Sequence, residues 1–294
     1  RHCVPRIMST SQAFVRKRTQ DPEGPSKRLR KGDPVLDSSK QQKNRNFRNL
    51  RILSWNVASC ERSEEAPDDF DTAAASEAIG NTIRCHDADI LCLQECPADW
   101  CIFSDQYDLL RDPVPSHCGY VQLWIKKELS AFIPRVHLLP RQHPSVAATL
   151  DFPGGLTFGI ASSHLAPYKE GEGMRLQQIR QLVENMPDVC CMIGDYNMRN
   201  AEDAAVEALG LTDAWKEVGR PKNAIFTWDS FANKYHGPGS FSFKCRFDRA
   251  FVRGIGDNAG KSCRLSVESF QHFAHEPMEN GTHTWYLSDH YGIL

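Results

Sequence analysis

The sequence predicts a layered α/β domain. Three observations carry this expectation. Strand-like apolar runs outnumber helical ones, the two kinds interleave, and the strand-like runs are short and almost continuously apolar, as buried strands in such folds are.

Residues 50–57 form a short β-prone run. Residues 73–86 follow, with Ala75, Ala78, Ile79, Thr82 and Ile83 at helical spacing. Residues 88–95 (ADILCLQE) read as a buried strand, and similar runs recur at 120–125, 146–152 and 156–162. Residues 171–186 carry Leu176, Ile179, Leu182, Val183 and Met186 on one helical face. Residues 189–194 are another strand. Asn200 is positioned to cap a short helix that ends before Gly210. Residues 246–252 return to strand. Residues 229–244 (DSFANKYHGPGSFSFK) are rich in Gly, Ser and aromatics and read as a long surface loop, a length often put to functional use.

Composition sets the organisation. The chain has 294 residues, 40% hydrophobic and 24% charged, ordinary for a globular protein. No apolar run approaches the roughly 20 residues of a membrane span, and the start lacks the apolar core of a secretory leader, so no membrane association is expected. The net charge of -2 averages two unlike pieces. Residues 1–50 hold 13 Lys/Arg and 4 Asp/Glu, a net +9, which leaves 22 basic and 33 acidic residues, a net -11, for the remainder. Residues 1–48 are rich in Lys, Arg, Ser, Gln and Pro and are expected to be a disordered basic tail; residues 49–294 are expected to form one catalytic domain. The basic clusters at 16–18 and 27–31 suit nuclear import or nucleic-acid contact, or a merely solvated tail. Acidic residues at Asp21 and Glu23 make an organellar transit peptide the weaker alternative.

The 11 cysteines include no CxxC pair. Cys92, Cys96 and Cys101 have no second ligand pair to complete a zinc site, so buried reduced thiols are the better reading.

The chemistry concentrates at strand ends. Five segments place ligand-type residues where an apolar run stops: Ser54-Trp55-Asn56, Leu93-Gln94-Glu95, Ser163-His164-Leu165, Gly194-Asp195-Tyr196-Asn197 and Ser288-Asp289-His290. A sixth, Arg246-Phe247-Asp248-Arg249, puts an acid within an apolar strand. One such segment is ordinary turn chemistry; six in one domain are not. Glu95, Asp195 and Asp289 are hard carboxylates, and Asn56 and Asn197 add amide oxygens, a set suited to Mg²⁺ or Mn²⁺ rather than Zn²⁺. His164, His290 and Arg199 supply donors for a phosphoryl group. Together they point to metal-assisted hydrolysis of a phosphate ester.

In order and spacing, the WN, QE, SHL, GDxN and SDH segments resemble the endonuclease/exonuclease/phosphatase superfamily, over roughly residues 49–294. The resemblance implies a DNase I-like fold, a four-layered αββα sandwich of two mixed sheets with helices outside. It implies Glu95 as principal metal ligand, with Asn56 and Asp289 completing the shell directly or through water. Asp195 resembles the residue that aligns and deprotonates the attacking water, with Asn197 beside it. His290 resembles the imidazole that stabilises charge on the phosphate, Asp248 its orienting carboxylate, and His164 a contact to a phosphate oxygen.

Gly194–Arg199 (GDYNMR), Phe226-Thr227-Trp228-Asp229, residues 245–251 (CRFDRAF) and the segment 175–178 resemble the tyrosyl-DNA phosphodiesterase branch. That branch implies a DNA partner bearing a 5′-phosphotyrosyl end, a monomer, and Arg199, Trp228 and Arg246 as substrate contacts; Trp228 also suits a packed aromatic anchoring its loop. The acidic stretch 58–72 and His164-Leu165-Ala166-Pro167 depart from the branch. Abasic-site endonucleases, deadenylases and inositol polyphosphate 5-phosphatases are alternatives, the last usually carrying WCDR where this chain has RFDR. A non-catalytic nucleic-acid-binding module is the alternative from another class.

Overall fold

A computed structural model describes residues 49–132, 134–140, 143–153, 155–237, 239, 242–254 and 265–294. The basic segment expected at 1–48 lies outside the described residues.

The strands follow the apolar runs. Along the chain they are β1 (Ile52–Asn56), β2 (Ile90–Cys96), β3 (Tyr107–Leu109), β4 (Val114–Pro115), β5 (Tyr120–Lys126), β6 (Arg135–His137), β7 (Ser145–Phe152), β8 (Leu156–His164), β9 (Cys190–Asp195), β10 (Thr212–Asp213), β11 (Trp228–Asp229), β12 (Lys244–Cys245), β13 (Asp248–Arg253), β14 (His272–Phe273), β15 (Met278–Asn280), β16 (His283–Trp285) and β17 (Gly292–Ile293). The helices are α1 (Thr72–Arg84), α2 (Glu172–Asn185), α3 (Asp203–Glu207) and α4 (Ala214–Glu217).

Two mixed sheets form. One runs β14-β17-β1-β2-β5-β3, with β4 on β5; the other runs β10-β13-β9-β8-β7-β6. Parallel pairs occur at the centre of each, β1 with β2 and β8 with β9, where both faces are covered. Because side chains alternate along a strand, Leu53, Trp55, Leu91 and Leu93 share one face, and Ala75, Ile79 and Ile83 of α1 pack against it. Ser54 and Gln94 take the opposite face, where Gln94 Nε2 donates to Ser162 Oγ of the other sheet at 3.1 Å. On the far side of that second sheet, Ala161, Met192 and Phe251 pack against Ile179 and Leu182 of α2. The layers are therefore helix, sheet, sheet, helix, as expected.

The structure revises some local expectations. Helix α2 buries Arg175 completely, where an apolar face was expected, while Leu176 and Val183 are only part-buried. Arg175 makes a bidentate pair with Glu202, Nε to Oε2 at 2.8 Å and Nη2 to Oε1 at 2.7 Å. Asn200 does not cap α3: Arg199 stands at the N-cap of the preceding 3-10 turn (Asn200–Glu202), and Glu202 Oε1 accepts its backbone N–H at 2.9 Å. Gly210 does follow the helix, with φ +78°. The loop 229–244 is pinned at its base by the β11–β12 pair. Cys92 and Cys96 are buried free thiols and Cys101 is an exposed one.

Candidate active site

Six strand ends converge. Asn56 ends β1, Glu95 lies near the end of β2, His164 ends β8, Asp195 ends β9 and Asp248 opens β13. Asp289 and His290 precede β17. Register explains part of the convergence: His164 pairs with Asp195, and Asp248 pairs with Asp195 on its other side.

Local backbone conformation aims these side chains. The β2–β5 register shifts between Leu93 and Cys96, and Glu95 adopts φ +53°, a bulge of the kind that re-aims a side chain. Asn197 adopts φ +52°, and Ala58, Ser59 and Cys60 after Asn56 have φ of 45°, 56° and 55°. Non-glycine residues persist there only when surrounding contacts hold them, and such strain gathers at functional sites. Gly194 has φ +149°, and a Cβ there would stand 2.1 Å from Ser163 O, so the glycine before Asp195 is required by close strand approach.

Asn56 is the hub. Its Oδ1 accepts from the Ala58 N–H at 3.0 Å, which fixes the amide's orientation. Its Nδ2 therefore donates to Glu95 Oε1 at 2.9 Å and to Asp195 Oδ2 at 3.1 Å. Asn56, expected in the metal shell directly or through water, here presents its amide donors to the two carboxylates. Asp195 Oδ1 accepts from the Asn197 N–H at 2.8 Å, and Asn197 Nδ2 donates to Leu165 O at 3.2 Å.

His290 Nδ1 lies 2.8 Å from Asp248 Oδ2, and its Nε2 lies 3.7 Å from Asp195 Oδ2. Burial alone lowers an imidazole's pKa, but Asp248, Asp195 and Asp289 outweigh it and hold His290 well above its ordinary value. Burial pushes Asp248 up while the imidazolium pulls it back. Asp289 Oδ2 accepts from Trp228 Nε1 at 3.1 Å and from His236 Nε2 at 2.9 Å. Burial opposes its ionisation, yet His290 and those donors bring Asp289 down to about 2. Burial raises Glu95, the Asn56 amide opposes that, and the Asp289 charge adds to it.

Glu95 is thus an anion placed beside other anions in a partly buried pocket, a cost that a bound cation removes. The hard oxygens of Glu95 and Asp289 fit Mg²⁺ or Mn²⁺. Among the described residues two groups of side chains have metal-compatible spacing, Glu95 with His117 and His164, and Asp195 with Asp248 and His290. Imidazolium and carboxylate already satisfy one another in the second.

The three expected substrate contacts divide. Arg199 lies at the rim, its guanidinium 5.1 Å from the Phe247 ring centre and its Nη1 2.5 Å from Asn197 O. Trp228 is buried, stacked on Phe243 at 4.5 Å, and holds Asp289; its packing reading is the one the geometry favours. Arg246 is not at the site. It is buried against Asp213 at 2.6 Å and Asp203 at 3.6 Å, with its guanidinium over Trp215, so its expected role as a substrate contact is corrected to a structural ion pair.

Sequence reasoning missed His236, Ser116 and the Arg175–Glu202 pair. His236 sits in the long loop singled out for its length; the acidic stretch braces that loop, through Glu64 N to Tyr235 O at 3.1 Å and Tyr235 Oη to Glu61 O at 3.1 Å. Arg175 Nη1 also donates to Ala166 O at 2.9 Å and Tyr168 O at 2.6 Å. The pair thereby ties the segment after His164 to the one after Asp195.

Comparison with known proteins agrees with this architecture. The model for the endonuclease/exonuclease/phosphatase family matches residues 53–290. A Danio rerio protein named tyrosyl-DNA phosphodiesterase 2 is 31% identical over 141 residues, 46% of this chain and 36% of its own length. Its Mus musculus namesake is 24% identical over 279 residues, 90% of this chain and 67% of its own. The aligned region thus spans about a third of the zebrafish relative and two thirds of the mouse one. Among solved structures, D. rerio TDP2 complexed with a single-strand DNA product superposes with TM-score 0.64 at 22% identity, covering 83% of this chain and 96% of that one. Truncated Caenorhabditis elegans TDP2 gives TM-score 0.61 at 20% identity, covering 83% and 95%. These structures share the fold, and the family match over most of the chain places it: the chain belongs to the endonuclease/exonuclease/phosphatase family.

Proposed function

We propose that residues 49–294 act as a divalent-metal-dependent phosphodiesterase on DNA bearing a 5′-tyrosyl end. The observation that carries the reading is the meeting of Glu95, Asp289, Asp195 and the Asp248–His290 pair at one end of the sandwich. The relatives' names favour this substrate over other phosphodiesters. So does Phe243, an exposed ring stacked on the buried Trp228 and next to Phe247, which adjoins His290; its open face suits a nucleobase or a tyrosyl ring.

Glu95 would hold Mg²⁺ or Mn²⁺ together with Asp289, whose carboxylate Trp228 and His236 hold in place. The bound ion supplies charge neutralisation at the phosphate. Asn56 donates to Glu95 and Asp195 together, which fixes their separation. Asp195 orients an attacking water and takes its proton, with Asn197 N–H bracing the other oxygen. His290, protonated and oriented by Asp248, offers Nε2–H to the phosphate oxygen on which charge develops. His164 is neutral, with burial pushing it down to about 3, so it does not serve as a second cationic donor. Arg199 faces the substrate from the rim.

Action on DNA, and the basic clusters at 16–18 and 27–31, support a nuclear location. Among the described residues no helix is long and apolar enough to cross a membrane.

The test is turnover of a 5′-tyrosyl oligonucleotide, an abasic duplex, poly(A) and an inositol polyphosphate, each with Mg²⁺ and with EDTA. The expected result is Mg²⁺-dependent hydrolysis with highest kcat/KM on the tyrosyl substrate. Preference for any of the other three rejects the substrate assignment, and turnover in EDTA rejects the metal.

A further inference from the structure

Ser116, His117 and Cys118 form the turn that leads into β5, and it closes over His164. Ser116 Oγ lies 2.6 Å from Cys118 O and donates its one proton there. Its 3.1 Å contact with His164 Nδ1 therefore has the hydroxyl oxygen as acceptor and Nδ1–H as donor. In a neutral ring the other nitrogen, Nε2, then carries a lone pair. That lone pair, on a side chain 1% exposed, faces Asp195 Oδ2 at 3.5 Å and Glu95 Oε1 at 3.7 Å. Both distances exceed the N–H···O range, and in this tautomer the buried ring turns an acceptor toward the carboxylate oxygens, an arrangement that a proton or a metal ion between them stabilises.

A second imidazole completes the arrangement. The exposed His117 ring stands 4.0 Å from the His164 ring, and Glu95, His117 and His164 each offer a ligand atom within 4.8 Å of the others. Neighbouring ligands of a tetrahedral ion with bonds of about 2.0–2.1 Å stand about 3.4 Å apart. Contraction by a few tenths of an ångström brings the His164–Glu95 pair to that spacing.

We propose that Glu95, His117 and His164 form a subsite for a nitrogen-preferring transition-metal ion such as Zn²⁺, distinct from the oxygen site of Glu95 and Asp289 but sharing Glu95 with it. Imidazole nitrogens suit Zn²⁺, whereas Mg²⁺ demands octahedral oxygens. Zn²⁺ here draws Glu95 away from the oxygen site and inhibits Mg²⁺-supported hydrolysis. The inhibitory consequence rests on the function proposed above; the binding does not.

The experiment is calorimetric titration of Zn²⁺ into the full chain in saturating Mg²⁺, for the natural sequence, His117→Ala and Cys118→Ser. Co²⁺ absorption spectra of the same three proteins run alongside. His117 is exposed, so its truncation leaves the fold intact. The expected result is one Zn²⁺ site weakened at least tenfold by His117→Ala and unchanged by Cys118→Ser, with tetrahedral Co²⁺ bands that His117→Ala removes. Hydrolysis by His117→Ala in Mg²⁺ alone is retained, and its inhibition by Zn²⁺ needs at least tenfold more metal. Affinity that His117→Ala leaves within tenfold, or that Cys118→Ser abolishes, overturns the subsite. A chain that binds Zn²⁺ through His117 but hydrolyses no phosphodiester overturns the proposed function and leaves the subsite standing.

Discussion

At the scale of single residues, roles follow from what each side chain touches. Glu95→Gln and Asp195→Asn keep shape and remove charge, so kcat should fall about 10²–10³-fold with the unfolding midpoint nearly unchanged; near-native turnover by either variant removes it from the mechanism. Asp248→Asn tests the imidazolium. Asp248 is the strongest influence holding His290 above its ordinary value of 6.5 against burial, and the proposed reaction needs the protonated ring. Removing that anion lowers the His290 pKa, so the alkaline limb of the pH–rate profile should move to lower pH. An unmoved limb means that His290 is not the titrating donor. The stability sign is consistent: a pKa raised on folding stabilises the protein fully below the unfolded value and loses that effect as pH rises through the folded one. Much of this was legible in the sequence, because Glu95, Asp195, Asp289 and His290 each interrupt an apolar run with a ligand-type side chain. The polarity of Asn56 was not legible, since only the Ala58 N–H fixes which end of the amide faces the carboxylates. His117 and Ser116 lay in a turn with no pattern to mark them.

At the scale of elements, two devices keep the strand ends in place. The Arg175–Glu202 pair is nearly dry, with side-chain exposures of 0% and 8%, and breaking such a pair strands a buried charge. Arg175→Met should therefore destabilise by about 3–5 kcal/mol in a urea titration, and a loss under about 1 kcal/mol means the pair is dispensable. Gly194→Ala forces a Cβ against Ser163 O and should cost at least about 2 kcal/mol, read from the same titration. The sequence showed the long strands and both long helices within a residue or two, because their apolar periods are clear. It missed the short strands β3, β4, β6, β10, β11, β12 and β14 to β17, whose two or three residues are too few to carry a period. It also cast Arg246 as a substrate contact, because the motif holding Asp248 also holds Arg246, and spacing alone does not say that Arg246 turns to Asp213 and Trp215.

At the scale of the whole molecule, the fold class was legible because strand-like apolar runs outnumber helical ones and interleave with them, and within β1 alternation then sorts Leu53 and Trp55 toward α1 and Ser54 toward the other face. The charge asymmetry raises a separate question. Residues 49–294, with a net charge near -11, would have to meet the proposed polyanionic substrate, while residues 1–48 carry 13 Lys/Arg against 4 Asp/Glu. If the basic segment neutralises phosphates, its removal should weaken binding most at low salt. Each neutralised phosphate adds about 0.7 to the slope of log K against log salt on single strands, so a segment that neutralises about six of them would, on removal, flatten the slope by about 4. The check is fluorescence anisotropy on a single-stranded oligonucleotide from low to high salt, comparing the full chain with residues 49–294. Hydrolysis of a mononucleotide aryl ester should stay the same in both, because that substrate cannot reach beyond the catalytic pocket. Equal salt slopes would show that the basic segment is no grip on nucleic acid and leave import or a merely solvated tail as its reading.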